Sequence, residues 1–435
     1  MNRINQLIQS CPDPGAAQIR MEHLLQLGSI QQRLESLTEP RLADFIHMMS
    51  VSHFLYRYLC REPEAIGFLD LSLDREGIEI RRIDNLQALR KYKYQQLMLI
   101  TWQDMTDSVP YKEILTALSL LADNIINKVL ALSIEAADYE KKQQMQLSVF
   151  AMGKLGASEL NYSSDIDLIF LSADDGDVVV DKNDYHGFLT YVIRHFIGSM
   201  EEITQHGHLY RVDLNLRPWG RSGPLFLSIE DTEHYYEAST EAWERFAWLR
   251  ARNIAGDKYL GKELLERLQP FIYQQSLSSD DLDRFLMIKQ KMAEKRRKTG
   301  SWNVKVGEGG IRDIEFFIQL LQIVNAYHHP VLKETNTMNV LSGLIKTGFL
   351  GEDEGMEIEQ AYLFLRRLEN RLQMFDEKQT HELPDEPELR LKIARSLGFI
   401  ADNDEHVLDD FETCLINTRA IAKGCFNRIL PEKTV

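Results

Sequence analysis

Cysteine is scarce. Four occur in 435 residues, Cys11, Cys60, Cys414 and Cys425, and none stands at the spacing of metal ligands. That excludes a disulfide framework or a zinc cluster and predicts free thiols in a reducing cytoplasm. Net positive charge is lacking too: 66 acidic against 50 basic side chains give −16. Without a basic track, broad nucleic-acid binding is excluded. One local basic run, Lys291, Lys295, Arg296, Arg297 and Lys298, reads as a solvated helix end, with an anion site as the alternative. Neither a secretory leader nor an apolar run of membrane-spanning length is expected, so no membrane is either. Short repeats and low-complexity linkers are absent. What remains is a chain long enough to bury a large core in two or three domains.

Hydrophobic spacing divides the chain into a helical region over 1–142, a strand-and-helix region over 143–260 and a second helical region over 261–435. In the first, His47 to Cys60, Leu89 to Met105 and Ile114 to Ala137 carry helical spacing, punctuated by Pro63 and Pro110. In the last, Leu282 to Lys298, Ile311 to Ala326, Met356 to Phe375 and Val407 to Ile429 do the same. Phe316, Leu320 and Ile323 indicate packing into a bundle. The expected class is α+β, predominantly helical.

The chemistry lies in the middle. A buried strand, Leu147–Met152, runs into Gly153-Lys154-Leu155-Gly156, then a short helical piece at Ser158-Glu159-Leu160, then Ser163-Ser164-Asp165-Ile166-Asp167-Leu168-Ile169-Phe170. In an extended strand Asp165 and Asp167 share one face while Ile166, Leu168 and Phe170 enter a core. Two adjacent carboxylates repel unless a cation neutralises them, and magnesium suits an oxygen-only donor set. The same spacing at Asp281 and Asp283 opens a helix, where acidic residues serve the dipole. A third donor is expected at Asp213, on a strand in which Tyr210, Val212, Leu214 and Leu216 alternate with Arg211, Asp213 and Asn215. An amphipathic helix from Phe188 to Ile203 separates the two strands. The pattern reads as metal-assisted phosphoryl transfer.

These blocks resemble the polymerase-beta-type nucleotidyltransferase signature, and more closely the glutamine synthetase adenylyltransferase family, with its GKLG, EL and SDIDLIF. Further matching blocks are Arg211–Gly220, Ser222–Leu225, Tyr235-Tyr236, Trp243–Arg245, Gly309–Phe316 and Gln379–Pro384. The likeness fades before about Leu89, and Ala157 and Asn215 depart from the pattern. It implies a small mixed-sheet nucleotidyltransferase core flanked by helical regions, with a C-terminal bundle. It further implies Mg2+ at Asp165, Asp167 and Asp213, glutamine synthetase as protein substrate, phosphate, ADP or ATP as small molecules, and a PII-type nitrogen-signalling protein as a regulator. Family members carry two related halves, one removing AMP by phosphorolysis and one attaching it from ATP. Asn161–Ser164, Asn303–Arg312 and Leu363–Gln373 look more like the removing half. Attachment, or a non-catalytic module that binds glutamine synthetase, are the alternatives.

Phosphate contacts are expected from Gly153, Lys154, Gly156, Ser163 and Ser164, since glycine lets amides approach an anion. Arg211 is expected either at phosphate or paired with an acidic neighbour. Gly307, Gly309 and Gly310 suggest an anion nest or a plain helix entry. Arg312, Asp313 and Glu315 form a second tier without assigned roles. His206 and His208 read as a polar turn rather than a metal pair, and His328 and His329, before Pro330, as a helix terminus. Trp243, Phe246 and Trp248 read as a base pocket or as core packing.

Overall fold

The computed structural model describes residues 2–137, 139, 145–173, 182–238, 242–273, 283–284, 286–287, 301–376 and 379–428. The basic run Lys291–Lys298, most of the expected Leu282–Lys298 helix, and Asp281 lie outside them.

Among the described residues, seven α-helices of eight residues or more lead the chain: α1 (Asn2–Gln9), α2 (Pro14–Leu24), α3 (Gly28–Glu35), α4 (Glu39–Val51), α5 (His53–Arg61), α6 (Leu86–Met105) and α7 (Tyr111–Ala136). The helix expected across His47–Cys60 is broken at Ser52, whose hydroxyl accepts the Leu55 N–H at 3.2 Å and caps α5. α7 corrects another expectation. Its 26 residues include an 18-residue stretch with mean hydropathy 1.5, so the helix is long and apolar enough to cross a membrane. Here the apolar length is used inside the protein: α7 packs between α6, the later helix α8 and a sheet strand, burying Ile114, Leu118, Ile125, Ile126 and Val129.

The small mixed sheet comprises β1 (Leu147–Ala151), β2 (Ile166–Ser172), β3 (Val212–Asp213), β4 (Phe226–Ser228) and β5 (Arg252–Gly256). β1 pairs antiparallel with β2 and with β5. β3 and β4 both run parallel to β2, along its first and last residues respectively. α8 (Lys182–Glu201) provides the crossover that a parallel β2–β3 pair requires.

Both faces of the sheet are covered, so its strands read as nearly continuous apolar runs. Leu147, Val149, Ile166, Leu168 and Phe170 join the core made by the N-terminal helices and α8. Phe150, Met152, Ile169 and Leu171 join a second core with α9 (Ile229–Ala238), α10 (Ala242–Trp248), α11 (Lys258–Arg267) and the C-terminal helices. Those are α12 (Ile311–Asn325), α13 (Thr337–Lys346), α14 (Glu352–Asp376), α15 (Pro387–Ser396) and α16 (Asp404–Asn427). α12, α14 and α16 pack on one another as the expected bundle. The architecture is α+β and predominantly helical.

The two layers are also joined by buried charge. After the helical turn Gly153–Gly156 the chain reverses through Ser158 at φ 57°, so the helical piece expected at Ser158–Leu160 stands one step earlier. Glu159 thereby enters the interior, where its carboxylate accepts the Thr337 N–H at 2.7 Å and the Tyr362 hydroxyl at 2.5 Å. The fully buried Arg366 of α14 meets that carboxylate at 3.2 Å and Asn161 Oδ1 at 2.6 Å. One turn on, Arg371 grips both oxygens of Asp104 at 2.6 and 2.8 Å. Buried ions persist only when paired and hydrogen-bonded, and these are.

Candidate active site

Odd-numbered residues of β2 face the second core, so Asp165 and Asp167 leave the sheet on the C-terminal side. The parallel register sets Asp213 directly opposite Asp167. The alternation expected over Tyr210–Leu216 is realised as strand only at Val212–Asp213. The reason is local: Asp213 Oδ1 accepts the Asn215 N–H at 2.7 Å, an Asx turn that ends the pairing.

The two glycines of the preceding turn have different tasks. Gly153 sits at φ 57°, and a Cβ there would lie 2.4 Å from Asp167 Oδ2, so only glycine lets the backbone pass beneath that carboxylate. Gly156 is a packing residue: a Cβ would stand 1.8 Å from the Arg250 carbonyl oxygen. Lys154 borders the cavity, but its ammonium donates to both oxygens of Glu369, at 2.8 and 2.9 Å. Glu369 also accepts from Asn161 at 2.7 Å and lies 2.9 Å from His381 Nδ1. Burial pushes this carboxyl up, but Lys154, His381 and Arg366 together outweigh it and hold it well below its ordinary range.

Ser164 borders the cavity. Ser163 faces away from it; its N–H donates to Gln373 at 3.2 Å and its carbonyl accepts from Arg211 at 3.0 Å. Of the two alternatives for Arg211, the geometry takes the acidic neighbour, Asp165. Among the described residues no three acidic, histidine or cysteine side chains are already closed into an ion cage. Asp167 carries the consequence of its neighbours. Burial first, then Asp213, push its carboxyl up to about 7, with Asp165 adding to this and Lys305 and Arg312 opposing it.

The carboxylates open onto a cavity of about 500 Å3. One wall is apolar, formed by Leu216, Trp243, Phe246, Ile311 and Phe316; another carries Lys305, Arg312 and Glu315. Trp248, in contrast, is core, with its ring 5.6 Å from Phe150 and 5.4 Å from Tyr236. Glu315 is buried and 3.1 Å from Arg250; burial raises its carboxyl, but Arg250 above all, then Arg312, hold it at about 2. Asp313 stands off the cavity and accepts the Gly309 N–H at 2.8 Å. The glycines before α12 form a helix entry, not an anion nest. The N–H groups of Gly307, Gly309, Gly310, Ile311 and Arg312 all have acceptors within the chain, and Gly307 and Gly310 lie where a Cβ would strike backbone oxygens. His206 lies 3.0 Å from Glu62. Burial, Lys93 and Arg211 pull His208 down to about 4. The two do not converge on a shared ion.

Arg250, Lys305 and Glu369 have no role in the sequence reading. The only signal was that Lys305 and Glu369 fall inside Asn303–Arg312 and Leu363–Gln373, which resemble family blocks as whole segments.

Comparison with known proteins bears on the whole arrangement. The family model for glutamate-ammonia ligase adenylyltransferase matches residues 42–267, just over half of the chain, and therefore begins well before Leu89. A model described as GlnD PII-uridylyltransferase matches residues 285–430. A Hahella chejuensis protein named bifunctional glutamine synthetase adenylyltransferase/adenylyl-removing enzyme is 34% identical over 382 residues, covering 82% of this chain and 40% of that protein. Proteins of the same name from Stenotrophomonas maltophilia and Pseudomonas aeruginosa are each 33% identical, covering 87% and 84% of this chain and 44% and 40% of theirs. The chain thus spans about two fifths of the length of these curated relatives. With the family pattern running from α4 through the aspartate strands to α11, the chain belongs to the glutamate-ammonia ligase adenylyltransferase family.

Proposed function

We propose that this chain removes AMP from an adenylylated tyrosine of glutamine synthetase by magnesium-dependent phosphorolysis, releasing ADP and the unmodified enzyme. The observation that carries the reading is the register of β2 and β3, which sets Asp213 across from Asp167, with Asp165 two residues away, at the mouth of a half-apolar cavity. The donor set fits magnesium: three carboxylates, oxygen only, one of them pushed up to about 7 because burial and its neighbours leave its charge uncompensated. Asp165, Asp167 and Asp213 would hold the ion, with Asp165 exchanging Arg211 for it. Bound there, magnesium supplies charge neutralisation at the phosphorus under attack and at the departing oxygen.

The apolar wall with Trp243, Phe246 and Phe316 suits a nucleobase, and the carboxylate end suits its phosphate. An oxygen of inorganic phosphate forms a bond to the phosphorus of the AMP group. The bond from that phosphorus to the tyrosine oxygen breaks, its electron pair stays on the phenolic oxygen, and that oxygen takes up a proton. A phenol, with an ordinary pKa of about 10, is a moderate leaving group. Gly153 keeps the backbone clear of Asp167, and the Lys154–Glu369 pair anchors that turn to α14.

The carboxylates serve removal and attachment alike, and the printed name of the relatives contains both activities. Removal is supported by the likeness of Asn161–Ser164, Asn303–Arg312 and Leu363–Gln373 to the removing half. A PII-type protein as regulator is supported by the second family match over 285–430. The test is direct. Adenylylated glutamine synthetase incubated with the protein, magnesium and phosphate should yield ADP in proportion to phosphate consumed. Absence of phosphate-dependent ADP, together with AMP transfer from ATP to unmodified glutamine synthetase, would reverse the direction; neither activity would leave a binding module.

A further inference from the structure

Among the described residues, four cationic side chains border the cavity, and two of them are already committed. Lys154 bonds both oxygens of Glu369, and Arg250 bonds Glu315 and, at 3.0 Å, Thr337. Lys305 and Arg312 differ. Their backbones are fixed: the Lys305 N–H donates to Asn303 Oδ1 at 3.1 Å, and the Lys305 carbonyl accepts the Arg312 N–H at 3.0 Å, holding the two residues side by side. Their charged ends are not fixed. Among the described residues the Lys305 ammonium makes no ion pair or hydrogen bond. Arg312 has only a loose approach of Nε to Glu315 at 3.6 Å, and that buried Nε lacks a hydrogen-bond partner. Both line the same cavity as Asp165, Asp167 and Asp213.

We propose that Lys305 and Arg312 form a phosphate subsite, holding the inorganic phosphate that attacks and, in the product, the β-phosphate of ADP. The inference rests on the nucleotidyl-transfer reading of the cavity but not on its direction, because the pyrophosphate released in attachment would occupy the same place. Three features support it. The arginine fork and lysine ammonium are the donor types that bind phosphate oxygens, and among the described residues neither has a hydrogen-bond acceptor in the protein, Arg312 making only its loose ion pair with Glu315. Burial, then Arg312, pull the Lys305 ammonium down, which an incoming anion reverses. Finally, the backbone amides of Gly307, Gly309, Gly310, Ile311 and Arg312 are engaged, which favours side chains as the anion donors on this wall.

A structural alternative is that Lys305 only balances Asp167, Glu315 and Glu369. Calorimetric titration of the full chain with AMP and with ADP, in magnesium, separates the two. The wild type should bind ADP at least about tenfold more tightly than AMP. Lys305→Met and Arg312→Gln should each erase most of that preference while changing AMP affinity much less, and Lys305→Arg should restore part of it. Arg312 is half-exposed at the rim, so Arg312→Gln keeps the test decisive if Lys305→Met does not fold. An unchanged ADP-to-AMP preference in the folded variants, or an equal loss for both nucleotides, overturns the subsite alone. A wild type that binds neither nucleotide overturns the nucleotidyl-transfer reading and the subsite together.

Discussion

Asp167→Asn should cut phosphorolytic turnover by roughly a thousandfold while leaving the chain folded, and at neutral pH more stable than the parent. The turnover loss follows from removing the most central of three charged oxygen donors. The stability gain follows from the upward shift of Asp167, caused by burial and then Asp213, from 3.8 to about 7. Below the lower value the group is protonated in both states and costs nothing. As pH rises towards 7 the unfolded chain releases the proton and the folded chain keeps it, so stability falls through that window. At about 1.4 kcal/mol per unit, the metal-free parent should lose on the order of 2–4 kcal/mol between pH 4 and 7 that the variant does not. Urea melts in a chelator at several pH values measure this; identical pH profiles would show that the charge at 167 is already compensated.

The second large effect is expected on stability. Glu369→Gln should destabilise the fold by about 3–5 kcal/mol, because it leaves Lys154 without its carboxylate in a buried site where Asn161 and Arg366 also meet Glu369. Glu369 is held well below its ordinary range, so its contribution is present above the unfolded carboxyl pKa of about 4.3 and is lost as pH falls through the folded value. Adding Lys154→Met to Glu369→Gln should cost much less than Lys154→Met alone, since the ammonium it removes is already stranded. Urea denaturation of the two singles and the double gives the cycle. Additive losses, or a loss below about 1 kcal/mol for Glu369→Gln, would mean that the pair does not join the sheet layer to α14.

The acidic strands and the long helices were legible because their signals are local. Asp165, just ahead of β2, and Asp167, within it, are two residues apart in the sequence, Asp213 sits in a clear alternation, and α6, α7, α12, α14 and α16 carry long helical spacing. Pairing across the fold was not legible. Lys154 and Glu369 are separated by 215 positions, and nothing in either neighbourhood names the other. Lysine after a glycine turn therefore reads as a phosphate ligand until α14 is seen to supply its carboxylate. Gly156 misleads for a related reason: its need for hydrogen comes from the Arg250 backbone, more than ninety residues on. Arg366, Glu369 and Arg371 look like the solvated face of a helix, yet all three are fully buried. α7 reads as unremarkable by local spacing, and only its length-averaged hydropathy and its place between layers mark it as a core helix.

The most direct measurement is manganese binding, followed by electron paramagnetic resonance, in the wild type and in Asp165→Asn, Asp167→Asn and Asp213→Asn. If the carboxylates of Asp165 just ahead of β2, Asp167 on β2 and Asp213 on β3 form one cation site, the wild type binds at least one ion and magnesium displaces it. Each substitution then weakens binding by about tenfold or more, since losing a charged donor costs more than about 1.4 kcal/mol. Tight binding that survives Asp213→Asn unchanged would contradict the account.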